Sequence, residues 1–177
     1  MPKSRSPLAI ELLKADHRKV EDLFEQYESQ KEGDDDARKA TALAICQELT
    51  VHARMEEELF YPWLREQLDD EDMELVEEAE VEHAGAKDLI AQIEESPGVD
   101  AKFDAKVKVL SEYIKHHVKE EEEEIFPEVS DQAEELDTLG QEMTARKEEL
   151  KDELGIADEP PPARKSGKGS GNSTARR

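Results

Sequence analysis

Two stretches of the chain repeat one arrangement of residues. His52 and His117 are each followed four residues later by a glutamate and ten residues later by a proline, and an aromatic residue precedes each proline. The phrase DHRKVEDLFEQYE, starting at Asp16, also aligns with EHAGAKDLIAQIE, starting at Glu82. The repeat predicts two helical hairpins related by a pseudo-twofold axis.

Apolar residues recur at steps of three and four in four segments that Gly, Pro and Asp residues separate. Such steps place side chains on one face of a helix. Four helices of this length with short connections predict an all-α protein, an up-down-up-down four-helix bundle over residues 7–130. Within it, Pro62 is expected to close or kink the second helix.

The ends of the chain are predicted to lie outside the bundle. Residues 1–6 form an N-terminal tail in this prediction. Residues 131–155 form an additional helix that ends at Gly155 and packs on the bundle or on a second subunit. Residues 156–177 are basic and poor in apolar side chains, which predicts a disordered tail.

Four histidines and two glutamates occupy positions where the helical pattern calls for apolar residues. A lone histidine on an apolar face is usually a hydrogen-bonded core residue. Here each of the four helices has one such histidine, and two of these histidines are followed one turn later by a glutamate. This set differs from a lone core histidine, because a buried carboxylate is costly unless its charge is cancelled. Six such ligands suit two metal ions. They are His17, His52, Glu56, His83, His117 and Glu121.

The same residues resemble the hemerythrin-like, HHE cation-binding domains. The resemblance covers roughly Leu8 to Val129, and it implies a four-helix bundle around a non-haem di-iron centre. It implies that Glu56 and Glu121 bridge the irons and that the four histidines fill terminal positions.

The chain departs from the oxygen-carrying hemerythrins on the third helix, where those proteins have a second histidine one turn away and this chain has Ala79. One iron is therefore expected to have one protein ligand fewer, replaced by water or by a neighbouring carboxylate. Glu80 is the nearest candidate, and a solvated Glu80 is the alternative. Tyr61 and Trp63 are expected to be packing residues at the end of the bundle, and a tyrosine near the iron that relays protons or electrons is the alternative.

The predicted cofactor is a pair of iron ions, because mixed imidazole and carboxylate ligands suit iron and no thiolate is available. Zinc or manganese would also fit this ligand set. The resemblance is compatible with a protein that binds or senses oxygen, a related small ligand or iron. It is equally compatible with a redox enzyme that disproportionates hydrogen peroxide. A metal-free acidic helical interaction module is the third hypothesis.

The net charge of −23 argues against nucleic-acid and anionic-membrane partners. No apolar run is long enough to cross a bilayer, and the N-terminus lacks the apolar core of a signal peptide. A single cysteine, Cys46, excludes an intrachain disulfide framework, so we expect a cytoplasmic protein. The sequence leaves the oligomeric state open.

Overall fold

The computed structural model describes residues 7–70 and 72–156, and the all-α prediction is confirmed within them. The predicted N-terminal tail and all but the first residue of the predicted basic tail lie outside the described residues. The helices are α1 (Leu8–Ser29), α2 (Asp35–Met55), α3 (Tyr61–Gln67), α4 (Met73–Glu94), α5 (Ala101–Glu120), α6 (Phe126–Val129) and α7 (Ala133–Leu154).

Aspartates begin two of the long helices. Asp34 accepts a hydrogen bond from the Ala37 backbone N–H at 3.1 Å, and Asp100 accepts one from Phe103 at 2.7 Å. Each satisfies a backbone donor that has no partner inside its helix. At the other end of the chain, α7 ends at Gly155, whose φ of 65° is the left-handed conformation that glycine adopts without strain.

A five-residue π-helical turn interrupts the second and fourth bundle helices at matching positions. Residues Glu56–Phe60 join α2 to α3, and residues Glu121–Ile125 join α5 to α6. Pro62 and Pro127 follow these turns, and a proline has no N–H to bond the carbonyl four residues earlier. The expectation that Pro62 closes its helix is wrong, because the helix continues through the π turn to Gln67.

The long helices pack in the order expected for a bundle of two hairpins. Helix α1 packs on α2, α2 on α4, and α4 on α5. Helix α7 lies across α1 and α2. The additional helix therefore covers one side of the bundle.

Two apolar clusters form the core, with a polar layer between them. Along α1, Leu13 belongs to the first cluster and Val20 to the second, and His17 lies between them. Along the fourth bundle helix, Leu110 belongs to the second cluster and Ile125 to the first. The candidate ligands thus lie in the middle of the bundle. None of the helices in the described part of the chain is long and apolar enough to cross a membrane.

Candidate metal centre

Each of the four long bundle helices contributes one buried histidine to a single cluster. His17 lies near the middle of α1 and His83 near the middle of α4. His52 and His117 lie in the last turns of α2 and α5. The structure brings all four rings together with the two glutamates that begin the π turns.

Glu56 is fully buried, with 0% of its surface exposed. Its Oε1 lies 3.2 Å from His52 Nε2, and its Oε2 lies 3.3 Å from His83 Nε2. One carboxylate therefore faces a histidine of its own helix with one oxygen and a histidine of α4 with the other.

Glu121 repeats this geometry in the second half of the chain and is equally buried. Its Oε2 lies 3.2 Å from His17 Nε2, and its Oε1 lies 3.5 Å from His117 Nε2. The two carboxylates thus join the same two ends of the cluster from opposite sides.

Most of these inner atoms have no hydrogen-bond partner. His17 Nε2, His52 Nε2, both oxygens of Glu56 and Oε2 of Glu121 are buried without one. Each of these atoms lies 3.2 to 3.3 Å from a nitrogen or oxygen of a neighbouring side chain of the cluster, without the alignment of a hydrogen bond. The atoms therefore point into the space between the side chains. Buried polar atoms without partners are rare and costly, and cations in this space would satisfy all of them.

The spacing of the donor atoms also fits metal ions. Two donors bound at about 2.1 Å and at right angles to each other lie about 3.0 Å apart. His83 Nε2 and His117 Nε2 are 3.1 Å apart. The donors form two groups that share Glu56, and each group has its atoms within 4.8 Å of one another. The first holds His17, His52, Glu56 and Glu121, and the second holds Glu56, His83 and His117.

Each histidine of the cluster directs its other ring nitrogen, Nδ1, at a carboxylate outside the cluster. An Nδ1–H bonded to a carboxylate leaves the Nε2 lone pair free to bind a metal and orients the ring. The Nδ1-to-oxygen distances are 2.8 Å for His17 and Glu122, 3.5 Å for His52 and Asp16, 3.0 Å for His83 and Glu57, and 2.8 Å for His117 and Glu82.

Each of these outer carboxylates also contacts a basic side chain further from the cluster. The contacts balance the charge of carboxylates that would otherwise add to the negative charge of the inner glutamates. The pairs are Glu122 with Lys14, Asp16 with Lys147, Glu57 with Lys87, and Glu82 with His116.

The pKa values of the metal-free cluster show that its imidazoles and carboxylates interact strongly. Burial alone would raise the pKa of Glu56, but the rings of His52 and His83 lower it well below its ordinary value. Burial lowers the pKa of His117, yet Glu121 and Glu82 outweigh it and raise that pKa to about 9. A metal ion bound here would therefore compete with protons for the imidazole nitrogens.

Tyr61 lies against the second group of donors. Its hydroxyl donates a hydrogen bond to Glu121 Oε1 at 3.0 Å and lies 3.3 Å from His83 Nε2. Burial and the carboxylates of Glu121 and Glu56 raise the pKa of the phenol well above its ordinary value. The π turn after Glu56 directs Tyr61 inward, whereas the sequence pattern assigned it to packing at the bundle end.

Glu80 does not join the cluster. Its carboxylate pairs with Arg65 at 2.9 Å, and its side chain is 37% exposed. It belongs to neither group of donor atoms, and the solvated alternative describes it better than the ligand alternative. The polar oxygen beside His83 is instead the hydroxyl of Tyr61.

A small cavity of about 40 Å³ adjoins the four histidines. Val20, Leu49, Ile90 and Ile114 form much of its wall, and the wall is almost entirely apolar. A water molecule needs roughly 10–15 Å³ on this measure, so the cavity suits a molecule of roughly two or three heavy atoms.

A larger space of about 470 Å³ lies between α1 and α5 and opens to solvent. It shares His17, Ile114 and Val118 with the small cavity. These three side chains therefore line both spaces.

Known proteins share this arrangement to different extents. Residues 8–129 match the hemerythrin HHE cation binding domain. The crystal structure of a hemerythrin HHE cation binding domain-containing protein from Mycobacterium kansasii aligns with a TM-score of 0.67 and 26% identity, over 81% of this chain and 86% of that one. A DNA nickase from Nostoc sp. is 28% identical over 147 residues, which cover 82% of this chain but 40% of the nickase. The chain thus spans less than half the length of that relative.

Proposed function

The chain belongs to the hemerythrin HHE cation-binding domain family, and we propose that its buried cluster holds two iron ions bridged by Glu56 and Glu121. The observation that carries this proposal is the set of buried donor atoms without hydrogen-bond partners. A metal-free interaction module would leave these atoms unsatisfied in the middle of the protein, at a cost of about 1–3 kcal/mol for each.

Iron is the metal that the ligand types favour. Imidazole and carboxylate ligands together suit iron, whereas sites rich in thiolate favour other metals. Cys46 lies in the second apolar cluster, and burial raises the pKa of its thiol to about 12. A thiol that stays protonated in an apolar environment is a poor ligand.

We propose oxygen or a related small oxygen species such as peroxide as the ligand. When bound, iron supplies an exchangeable electron and an open coordination position. The chain supplies the selection: an apolar cavity of about 40 Å³ beside the histidines admits small molecules and excludes larger ones. Ile114 and Val118 line both this cavity and the larger solvent-open space beside it.

Tyr61 favours a second candidate function, the disproportionation of hydrogen peroxide to water and oxygen. Its buried hydroxyl is a hydrogen-bond donor directly beside the second donor group. A donor at this position can stabilise negative charge on an oxygen species or transfer a proton to it.

We propose no action on nucleic acid, although the Nostoc relative is named a DNA nickase. The net charge of −23 opposes contact with a phosphate backbone, and the chain matches less than half of that protein. The proposed setting is the cytoplasm, where the single thiol of Cys46 would stay reduced.

The first test is metal content measured after aerobic purification from iron-replete cells. We expect about two irons for each chain, with an optical band of a coupled iron pair. Glu121→Gln should lose most of the metal and the band. Glu123→Gln is the matched control, because Glu123 lies in the same π turn but is solvent-exposed. A protein that binds no transition metal would overturn the proposal.

The second test separates a carrier from an enzyme. Purified metal-loaded protein is mixed with hydrogen peroxide in an oxygen electrode. Sustained oxygen release that falls in Tyr61→Phe supports the enzyme. Release of no oxygen, together with reversible spectral change under oxygen, supports the binding protein.

A further inference from the structure

Helix α7 lies outside the four helices that carry the inner donors, yet one of its side chains reaches the site. Lys147 forms an ion pair with Asp16 on α1. The Lys147 side chain is only 13% exposed, and Asp16 is buried. This cation is therefore shielded from solvent by the contact between α7 and α1.

Asp16 connects this lysine to an inner ligand. While Oδ1 of Asp16 pairs with Lys147, its Oδ2 lies 3.5 Å from Nδ1 of His52. Both atoms are buried and neither makes a hydrogen bond, so the contact between them is a close approach of carboxylate and imidazole. On the far side of the ring, Nε2 of His52 faces Glu56 at 3.2 Å. A continuous line of side chains runs from α7 to the centre.

We infer that Lys147 positions the ligand His52 through Asp16, so that α7 stabilises one half of the metal centre. This inference rests on the proposed two-ion site. Lys147 is a positioning residue, because it touches none of the inner donors. It holds the buried Asp16 carboxylate in place opposite Nδ1 of His52.

The physical reason lies in the burial of Asp16. The carboxylate is buried, and its Oδ1 pairs with the cation of Lys147. Without the lysine, Asp16 would be a buried charge with one partner fewer, and it would turn away from this position. That change removes the carboxylate that faces Nδ1 of His52 and orients its ring.

Two close contacts fix the position of α7 against α1. Asp137 accepts a hydrogen bond from the Leu8 backbone N–H at 2.7 Å. A Cβ placed on Gly140 would lie 2.5 Å from the Ala9 backbone nitrogen, so the two helices touch backbone to backbone there. Lys147 follows on the same helix, two turns further along.

An outer lysine on the other half of the site is more exposed. Lys87 pairs with Glu57, which contacts His83, at 2.6 Å, but the Lys87 side chain is 49% exposed. Water can replace Lys87 at Glu57, and exposed ion pairs contribute little. The two halves of the centre should therefore respond differently to loss of their outer lysines.

The experiment compares Lys147→Met with Lys87→Met in the full, iron-loaded chain. Iron release to a competing chelator is followed by the absorbance of the chelator complex. We expect Lys147→Met to lower the affinity of one of the two irons by about 10-to-100-fold, the scale typical of partners that orient a ligand. Lys87→Met should change release by less than about fivefold. Equal release from wild type and Lys147→Met would overturn the inference.

Two further variants separate positioning from general stability. Lys147→Arg keeps the cation and should restore most of the affinity. In an Asp16→Asn background, loss of Lys147 should have little additional effect, because no buried charge remains to be held. Full additivity of the two changes would contradict the inference. The double variant Asp16→Asn/Lys147→Met lacks both charges, and it can be tested even if Lys147→Met alone does not fold. Failure of wild type to bind two ions would instead contradict the proposed function.

Discussion

Burial of Glu56 and Glu121 determines which residues surround them. An ionised carboxylate deep in a protein requires compensating charge, and each of these two glutamates faces two imidazoles. Each imidazole in turn faces an outer carboxylate, and lysines pair with three of these four carboxylates. On those three paths, charged groups of opposite sign follow one another from the imidazole outward.

Tyr61 can be tested by removing its hydroxyl alone. In the metal-free protein, Tyr61→Phe leaves Glu121 without the donor that now lies 3.0 Å away. We expect the free energy of unfolding in urea to fall by about 1–3 kcal/mol, the cost of a buried polar atom without a partner. Glu80→Ala is the control, because its exposed pair with Arg65 should change stability by less than about 1 kcal/mol. A Tyr61→Phe protein as stable as wild type would show that the hydroxyl contributes nothing.

The raised pKa of His117 predicts how the metal-free protein responds to pH. Its pKa rises from 6.5 to about 9 in the fold, so the folded state binds this proton more tightly than the unfolded state. The stabilisation is complete below about pH 6.5 and is lost as pH rises through 9. We expect the melting temperature of chelator-treated protein to fall over this range. The iron-loaded protein should show no such fall, since a ligated imidazole nitrogen carries no proton.

At the level of secondary-structure elements, the two π turns place Glu56 and Glu121 in equivalent positions. A π turn adds a residue to one helical turn, and such turns are common at functional sites. Here each turn begins at the glutamate of the cluster, and a proline follows six residues later. The additional residue rotates the chain, so that Tyr61 in the first half and Phe126 in the second half become buried.

Gly140 provides a test of the contact between α7 and α1. In Gly140→Ala, the new methyl group would lie 2.5 Å from the Ala9 nitrogen and 2.8 Å from the Leu8 carbonyl carbon. We expect the strain of about 1–3 kcal/mol to exceed the gain in helix propensity of about 1 kcal/mol. Thermal unfolding should therefore occur at a lower temperature. Gly98→Ala is the control, since nothing lies within 4 Å of its added Cβ; equal shifts in both variants would mean that α7 does not approach α1 this closely.

At the scale of the molecule, a polar layer divides the apolar core in two. The first cluster contains the contacts of α7 with the bundle, and the second lies toward the other end. The histidines and glutamates lie between these clusters and belong to neither. The stability of the whole bundle should therefore depend on what neutralises that layer.

Removal of metal tests this dependence. Ligands that bind the folded state alone stabilise it by about 4 kcal/mol at a concentration a thousand times the dissociation constant. We expect chelation of the iron-loaded protein to lower the melting temperature by several degrees, and added ferrous iron to restore it. Melting temperatures that do not differ with and without chelator would mean that the cluster does not bind metal in the folded state.

The sequence by itself determined the all-α class, the repeated halves and the six residues at the cluster. These follow from periodicity, because a polar residue in an apolar helical stripe must face the core wherever the helix packs. The same reasoning gave the family, since the residues that carry the resemblance are those that interrupt the stripes. The match of residues 8–129 to the hemerythrin HHE cation binding domain confirms the family.

The tertiary structure alone decided which side chains surround those six. Glu122, Asp16, Glu57 and Glu82 stand among many acidic residues, and the contacts that select them join different helices. Tyr61 turns inward because a π turn changes the helical register, and a fixed period of 3.6 residues cannot foresee that change. Lys147 reaches Asp16 from 131 residues away in sequence. The helical period of apolar residues predicts which face of a helix is buried, but only tertiary packing decides which helix that face contacts.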